Sequence, residues 1–303
     1  MGIIVICLLY ACDTEYSDQI GNDRRLSSQE LATLPYKNSA PAAAYYFGFD
    51  LRAAPKEDAR QYLPFLAYLH RKTGYTFKLR FTPKDGEIVR DIGTGVVQFA
   101  AIGAVSYIQA NQKYRVIPLV RGLNQAGKDR YRSFFVIRPT SCLAQVKQII
   151  GTRFAFGSRA STQGHLIPRI IFHKQGIGLA DLKTYKFTGS HINCLNSVLL
   201  NESDVCGMQD VMAGEFARQG KVKILHRSNW YPSSGIVANS KVPDEVCRSV
   251  KAALLAFQPT GRDAKGLYNW NKTEMANGFV EAKDQDYAGL RQWMKSLALK
   301  EFN

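Results

Sequence analysis

Between Tyr45 and Arg227, short apolar runs of strand length alternate with stretches of helical periodicity, and few architectures accommodate that alternation. YYFGF (45–49) precedes ARQYLPFLAYLHRKTGY, in which Tyr62, Phe65, Leu66 and Leu69 recur at helical spacing before Gly74 closes the segment. TFKLRF then reads as a strand, GEIVRDIGTG as a helix, VQFAAIG as a buried strand, VSYIQANQK as a helix and YRVIPLV as a strand. SFFVIRPTS (133–141) is the next apolar run, followed by a helix expected over Leu143 to Ile150. A second series follows: strands in TRFAFGS, YKFTGS, SDVCGM and VKILHRS, with helices in STQGHLIPRIIFHKQG, INCLNSVLLNES and DVMAGEFARQ. SSGIVANS (233–240) supplies one more strand, and helices over Asp244 to Phe257 and Tyr287 to Leu299 complete the chain. The pattern predicts an α/β protein. Two comparable series joined by two short extended segments predict two lobes with a cleft between them.

The 303 residues, 46% of them apolar and 21% charged, can bury a sizeable core in one large or two medium domains. Forty Lys and Arg against 25 Asp and Glu give a formal charge of +15, which directs attention to anionic partners. The basic residues are scattered, and neither an RNA-binding nor a helix-turn-helix pattern occurs, so no nucleic-acid partner is expected. Beyond the first twelve residues the cysteines are Cys142, Cys194, Cys206 and Cys247, whose spacing matches no zinc pattern. Neither a metal nor a cofactor is expected. In an oxidising compartment one or two disulfides are possible, with the pairing open.

MGIIVICLLYAC is too short to span a bilayer, which takes about 20 residues as a helix. Leu9-Tyr10-Ala11-Cys12 resembles a bacterial lipobox, which implies a signal peptide over 1–11 and lipidation of Cys12. Asp13 resembles the signal that retains lipoproteins in the inner membrane. No basic residue precedes the apolar run, which implies a start inside a longer signal; a buried strand is the competing reading. Residues 12–43 are polar and turn-rich and read as a tether.

In FGSRASTQGHLIPR (156–169), Ser161 can cap a helix, while Thr162, Gln163 and Gly164 present the free amides of its first turn. Those donors, two hydroxyls and the positive helix end suit a phosphate-like or carboxylate anion. An ordinary capped helix accounts for the same residues. Pro168 implies a kink. His165, four residues on, would point away from the capping hydroxyl. No Gly-x-Ser-x-Gly elbow, His-Glu-x-x-His or Walker loop is present, and catalysis is not expected.

FGSRASTQGHLIP resembles the Ser-Thr-Ser-Gly segment of the phosphonate, phosphite and phosphate binding proteins of ABC transporters, and the flanking order agrees over about 45 to 300. FGFDLRAAP with YLPFLAYLHRKTGY resembles that family's first strand and helix, and VVQFAAIGAVSYIQA its segment ending in proline-serine-tyrosine. YRSFFVIRPTS resembles its first crossover strand, FTGSHINCLNSVLLNESDVCGM its Gly-x-His helix and following strand, and SSGIVANSKVPDEVCRSVKAALLAF its returning strand and helix. The resemblance implies a periplasmic-binding-protein-like fold of two lobes joined by two crossover strands. On this reading 44–137 with 240–303 form lobe 1, and 138–239 form lobe 2.

The same resemblance implies that the hydroxyls of Ser161 and Thr162, the amides of Gln163 and Gly164, and His191 contact an oxyanion. Gln163 stands where the family has a second serine, and Ile102 where many members have a ligand-contacting tyrosine. Asp50 and Arg52 lie in the first strand-helix loop; Arg52 is either a bidentate anion contact or a surface arginine. Family members that bind aminoalkylphosphonates hold the amine with two acids. The corresponding stretches here, MQDV (208–211) and YPSSG (231–235), keep at most one, which disfavours an amine-bearing ligand. The implied protein is a periplasmic, lipid-anchored solute-binding protein that passes phosphate, phosphite or a simple phosphonate to an ABC permease. The alternatives are a sensing module of the same fold for a membrane sensor kinase, a binder of sulfonates or other small molecules, and an enzyme on this fold.

Overall fold

The computed structural model describes residues 44–49, 55–82 and 87–297. Cys12, the signal and tether segments, Asp50 and Arg52 lie outside the described residues.

The first series builds β1 (Tyr45–Phe49), α1 (Pro55–Thr73), β2 (Phe77–Leu79), α2 (Glu87–Thr94), β3 (Phe99–Ile102), α3 (Ala104–Tyr114) and β4 (Ile117–Gly122). Gly74 follows α1 with φ +75°, a left-handed conformation that stops the helix, and its amide donates to His70 O at 2.8 Å. β5 (Arg130–Tyr131) leads to β6 (Ser133–Ile137), and the second series contains β7 (Arg153–Phe156), α4 (Ile167–Lys174), β8 (Thr184–Phe187), α5 (His191–Leu199), β9 (Val205–Gln209), α6 (Asp210–Arg218) and β10 (Lys223–Arg227). β11 (Tyr231–Pro232), β12 (Gly235–Ala238), α7 (Asp244–Leu255), β13 (Phe279–Glu281) and α8 (Ala288–Ser296) follow.

Two mixed sheets result, in the orders β13-β4-β12-β3-β1-β2 and β10-β6-β9-β7-β8. β1 pairs in parallel with β2 and β3, and β7 with β8 and β9, as strand-helix-strand units require. β12 lies antiparallel between β3 and β4, and β6 antiparallel to β9, so the chain enters the second sheet through β6 and returns to the first through β12, where β13 later adds an edge strand on β4. The two passages run side by side as the β5–β11 ribbon, with Tyr131 opposite Tyr231 and Arg130 opposite Pro232. The sheets therefore change between Tyr131 and Ser133 and again between Pro232 and Gly235. Division at 137/138 and 239/240 places β6 and β12 with the wrong sheet, because an apolar run identifies a strand without identifying its partners. Any side chain at Gly235 would strike Val120 O, so the returning strand needs glycine there.

Period-two alternation splits each strand between two cores. Phe99, Ala101, Ile236 and Ala238 face the core that contains α1 and α7, whereas Ala100, Ile102 and Val237 face the one that contains α3 and α8. In the second sheet Phe154, Phe156, Phe135 and Ile137 face one core, and Ala155, Phe134, Val136 and Met208 the other. Leu166 and Ile170, from the start of the second lobe's α4 region, pack into the core beneath α3. That apolar contact joins the lobes. A disulfide links Cys194 on α5 to Cys206 on β9, while Cys142 is exposed and Cys247 buried as free thiols. The helix expected over Leu143 to Ile150 is a single 3-10 turn, Val146–Ile149: its two buried residues lie three apart, and the Gln145 and Gln148 side chains close it reciprocally.

Candidate functional site

β7 ends at Phe156, and the chain turns through Gly157 to Ser161 before a helix begins. Ser161 is extended (φ −74°, ψ 126°) and its hydroxyl accepts from Gly164 N at 2.8 Å, which is the expected N-cap. The expectation that Gly164 keeps a free amide is thereby corrected: the cap uses it. The open amides belong to Thr162 and Gln163, which stand at the start of the helix with no intrahelical acceptor.

The first turn is wider than an α-turn. Leu166 N donates to Ser161 O and Ile167 N to Thr162 O, both i→i+5 bonds, so Thr162–Leu166 form a π-helical turn ahead of α4. Pro168 explains the departure from a kinked α-helix. Proline has no N–H to offer Gly164 O, and that carbonyl instead accepts from Gly157 N at 2.9 Å. Gly157 and Gly164 are thereby drawn together, and a Cβ on Gly164 would lie 3.0 Å from Gly157 Cα, 3.0 Å from Ser161 Oγ and 3.1 Å from His191 Cε1.

His191 opens α5 behind its own N-cap, Ser190, whose hydroxyl accepts from Asn193 N at 3.2 Å. Its ring lies against the two glycines, so the structure brings Ser161, Thr162, Gly164 and His191 into one cluster. Thr162 is buried, and its hydroxyl accepts from Val105 N at 2.9 Å. Val105 is the second residue of α3 in the first lobe, capped by Gly103 in extended conformation. Two helix N-termini, one from each lobe, therefore meet at the Thr162 hydroxyl. Their positive ends would each stabilise an anion held between them.

The Gln163 side chain is committed elsewhere: its amide donates to Arg132 O at 2.9 Å and to Asp210 Oδ1 at 3.2 Å. Asp210 also accepts from the backbone amides of Arg132 (3.2 Å) and Val211 (3.0 Å). Burial, followed by the charge of Glu274, pushes the Asp210 carboxyl up to about 6. Ser233, in the stretch where the second acid is missing, donates to Gly122 O at 2.7 Å.

Sequence reasoning missed Tyr131 and Glu274, which no local pattern marks. Tyr131 is buried on the first crossover strand beside Thr162 and the backbone of Ala104, and burial together with the Glu274 charge raises its hydroxyl far above the ordinary phenol range. Ile102, the residue in place of a tyrosine, is buried in the core under α3, where it packs as an aliphatic strand residue. His165 is fully buried between Phe156 and Phe187, with Nδ1 2.7 Å from Arg159 O, and serves the packing of the turn. Arg159 itself lies over the Phe187 ring at 4.2 Å.

Residues 47–287 match the family model described as "ABC transporter, phosphonate, periplasmic substrate-binding protein". Among solved structures, PhnD1 from Prochlorococcus marinus (MIT 9301), in complex with methylphosphonate, is similar with a TM-score of 0.76 and 17% identity, over 84% of this chain and 98% of that one. A binding protein component of an ABC phosphonate transporter from Pseudomonas aeruginosa gives 0.74 and 18%, over 85% and 87%. The alkanesulfonate-binding protein SsuA from Xanthomonas axonopodis pv. citri, bound to MOPS, gives 0.61 and 13%, over 86% and 94%. These likenesses establish the two-lobe periplasmic-binding fold. The family match takes in nearly all of both sheets, both crossovers and the Ser161 turn, and the chain therefore belongs to the periplasmic substrate-binding proteins of phosphonate ABC transporters.

Proposed function

We propose that the protein captures phosphate, phosphite or a simple phosphonate at the Ser161 turn and presents it to an ABC permease. The observation that carries this reading is the meeting of two helix N-termini, from opposite lobes, at the Thr162 hydroxyl. An oxyanion between them accepts from the Thr162 and Gln163 amides on one side and from the α3 terminus on the other. Such a ligand contacts both lobes only when they are closed, and that differential affinity shifts the population toward the closed form. Hydroxyls at Ser161 and Thr162, with His191 beside them, complete the donor set, and Arg52 adds a first-lobe cation.

The surroundings favour a ligand without an amine. Of the two stretches that hold the amine in aminoalkylphosphonate binders, only MQDV keeps a carboxylate; that residue, Asp210, already accepts from Gln163 and two backbone amides, and Ser233 offers a hydroxyl engaged with Gly122. The methylphosphonate complex of PhnD1 supports a small phosphonate as ligand here. Lipidation at Cys12 is the proposed anchor to the inner membrane, and the Cys194–Cys206 disulfide is consistent with an oxidising compartment outside it. Membership of a transport family points away from an enzyme.

A thermal-shift comparison of phosphate, phosphite, methylphosphonate, aminoethylphosphonate and sulfate tests the assignment, because a tight ligand at excess raises Tm by mass action. One or more of the first three should raise Tm and aminoethylphosphonate should not. A shift confined to sulfate or aminoethylphosphonate overturns it.

A further inference from the structure

A cavity of about 550 Å³ opens between the loop after β4, at Asn124 to Ala126, and the second lobe's α6 and β10. Neither Ser161, Thr162 nor His191 lines it. Its charged walls are Arg132, Arg218, Arg227 and the single carboxylate Asp210; its aromatic walls are Phe134 and Trp230.

The three arginines, of which Arg218 and Arg227 are exposed, have no anionic partner among the described residues. Among the described residues none of the three forms an ion pair, and the buried Nε of Arg132 has no hydrogen-bond acceptor. Two neighbouring carboxylates are already engaged, Glu215 by Lys272 at 3.2 Å and Asp129 by Arg121 at 2.8 Å. Asp210 accepts from Gln163 and two backbone amides, so it satisfies none of the guanidinium donors. The Arg132 guanidinium lies 3.9 Å over the Trp230 ring, and that of Arg227 lies 5.2 Å from Phe134, so aromatic faces hold two of the cations in place.

Concave walls focus the field of like charges, and a guanidinium fork matches a carboxylate or phosphonate in two parallel hydrogen bonds. The volume lies within the range of ordinary small-molecule sites, about 300 to 1,000 Å³. Val211, Ala217 and Ile224 line the rest of the wall with apolar surface, which an ion with its full hydration shell would leave unused. We propose that this cavity, which adjoins the Ser161 seat at Arg132 and Asp210 but is lined by none of the residues assigned to the oxyanion, is a second binding site for an organic anion with a flat apolar body. Its chemistry is independent of which oxyanion the Ser161 turn holds. Because loop and wall come from different lobes, an anion here also draws them together.

Terephthalate is the probe of choice, since it is flat and doubly anionic and its planar carboxylates are poor mimics of a tetrahedral oxyanion. The full chain is titrated by calorimetry and by tryptophan fluorescence, with Trp230→Phe as the optical control. One terephthalate should bind per protein and quench fluorescence in a manner lost with Trp230. The double variant Arg218→Ala/Arg227→Ala should bind it about tenfold or more weakly while methylphosphonate affinity stays within about twofold. Ser161→Ala/Thr162→Ala should keep terephthalate binding. Absence of terephthalate binding to the wild-type chain, unchanged binding by the arginine variant, or loss of binding in the Ser161/Thr162 variant each overturns the second site. A Ser161/Thr162 variant that retains methylphosphonate would instead count against the oxyanion seat alone.

Discussion

Replacing Gly164 by alanine sets two opposing effects against each other at the centre of the proposed seat. Gly164 does not have positive φ, so alanine loses nothing in backbone conformation and gains about 0.5–1 kcal/mol by its helix preference. Against that gain, the new Cβ would lie 3.0 Å from Gly157 Cα and Ser161 Oγ and 3.1 Å from the His191 ring. Gly157 Cα is backbone, pinned by the Gly157 N to Gly164 O hydrogen bond, so it yields little. Overpacking of this kind costs about 1–3 kcal/mol, and the net expectation is a loss of about 0.5–2 kcal/mol. The residues displaced, Ser161 and His191, are those assigned to the ligand, so methylphosphonate affinity should fall about tenfold or more. Gly214→Ala on α6 is the matched control: its Cβ would meet only Arg218 Nη1 at 3.6 Å, and the helix gain should stand alone. Urea unfolding and calorimetric titration of both variants measure the two quantities. A Gly164→Ala protein as stable as Gly214→Ala, with undiminished ligand affinity, refutes the packing argument.

Asp210→Asn tests the buried carboxyl. With a folded value of about 6 against about 3.9 unfolded, the Asp210 carboxyl holds more protons in the folded state between those limits, so its contribution to wild-type stability falls as pH rises from about 4 to 6. The asparagine variant lacks that dependence, so its stability relative to wild type should climb across that interval by up to about 3 kcal/mol and then level off; urea unfolding from pH 4 to 7 reads it, and parallel curves contradict it. Cys194→Ala/Cys206→Ala removes a cross-link between residues 12 apart and should cost about 2–4 kcal/mol. Dithiothreitol should destabilise the wild type but not this variant.

Strands and helices were legible because burial on both sheet faces leaves continuous apolar runs, as in Phe99–Ile102 and Ser133–Ile137. Ser161 as a cap was equally legible, since the cap and the Gly164 amide that donates to it lie within four residues. Pairing was not: β5, β11 and β13 have two or three residues each, and tertiary partners alone make them strands. Thr162 shows the limit most clearly. Its residue type announces a hydroxyl, but the Val105 amide that meets it is 57 residues away and in the other lobe. Gln163 was readable as a departure from the family pattern, whereas its turn toward Asp210 required the fold. The unpaired arginines at 132, 218 and 227 are scattered in sequence, and only the approach of β6, α6 and β10 gathers them.

The central claim is that the helix start at Ser161 and Thr162 is the anion seat, and calorimetric titration of Ser161→Ala/Thr162→Ala with methylphosphonate tests it most directly. Loss of the cap costs about 1 kcal/mol and loss of the acceptor for the buried Val105 amide about 1–3 kcal/mol, which together lower Tm by about 4–16 °C, so the titration is run well below the variant's own Tm. Affinity should fall by about 100-fold or more, as two hydroxyl contacts to an anion vanish together. A variant that binds methylphosphonate as tightly as the wild type would place the ligand elsewhere.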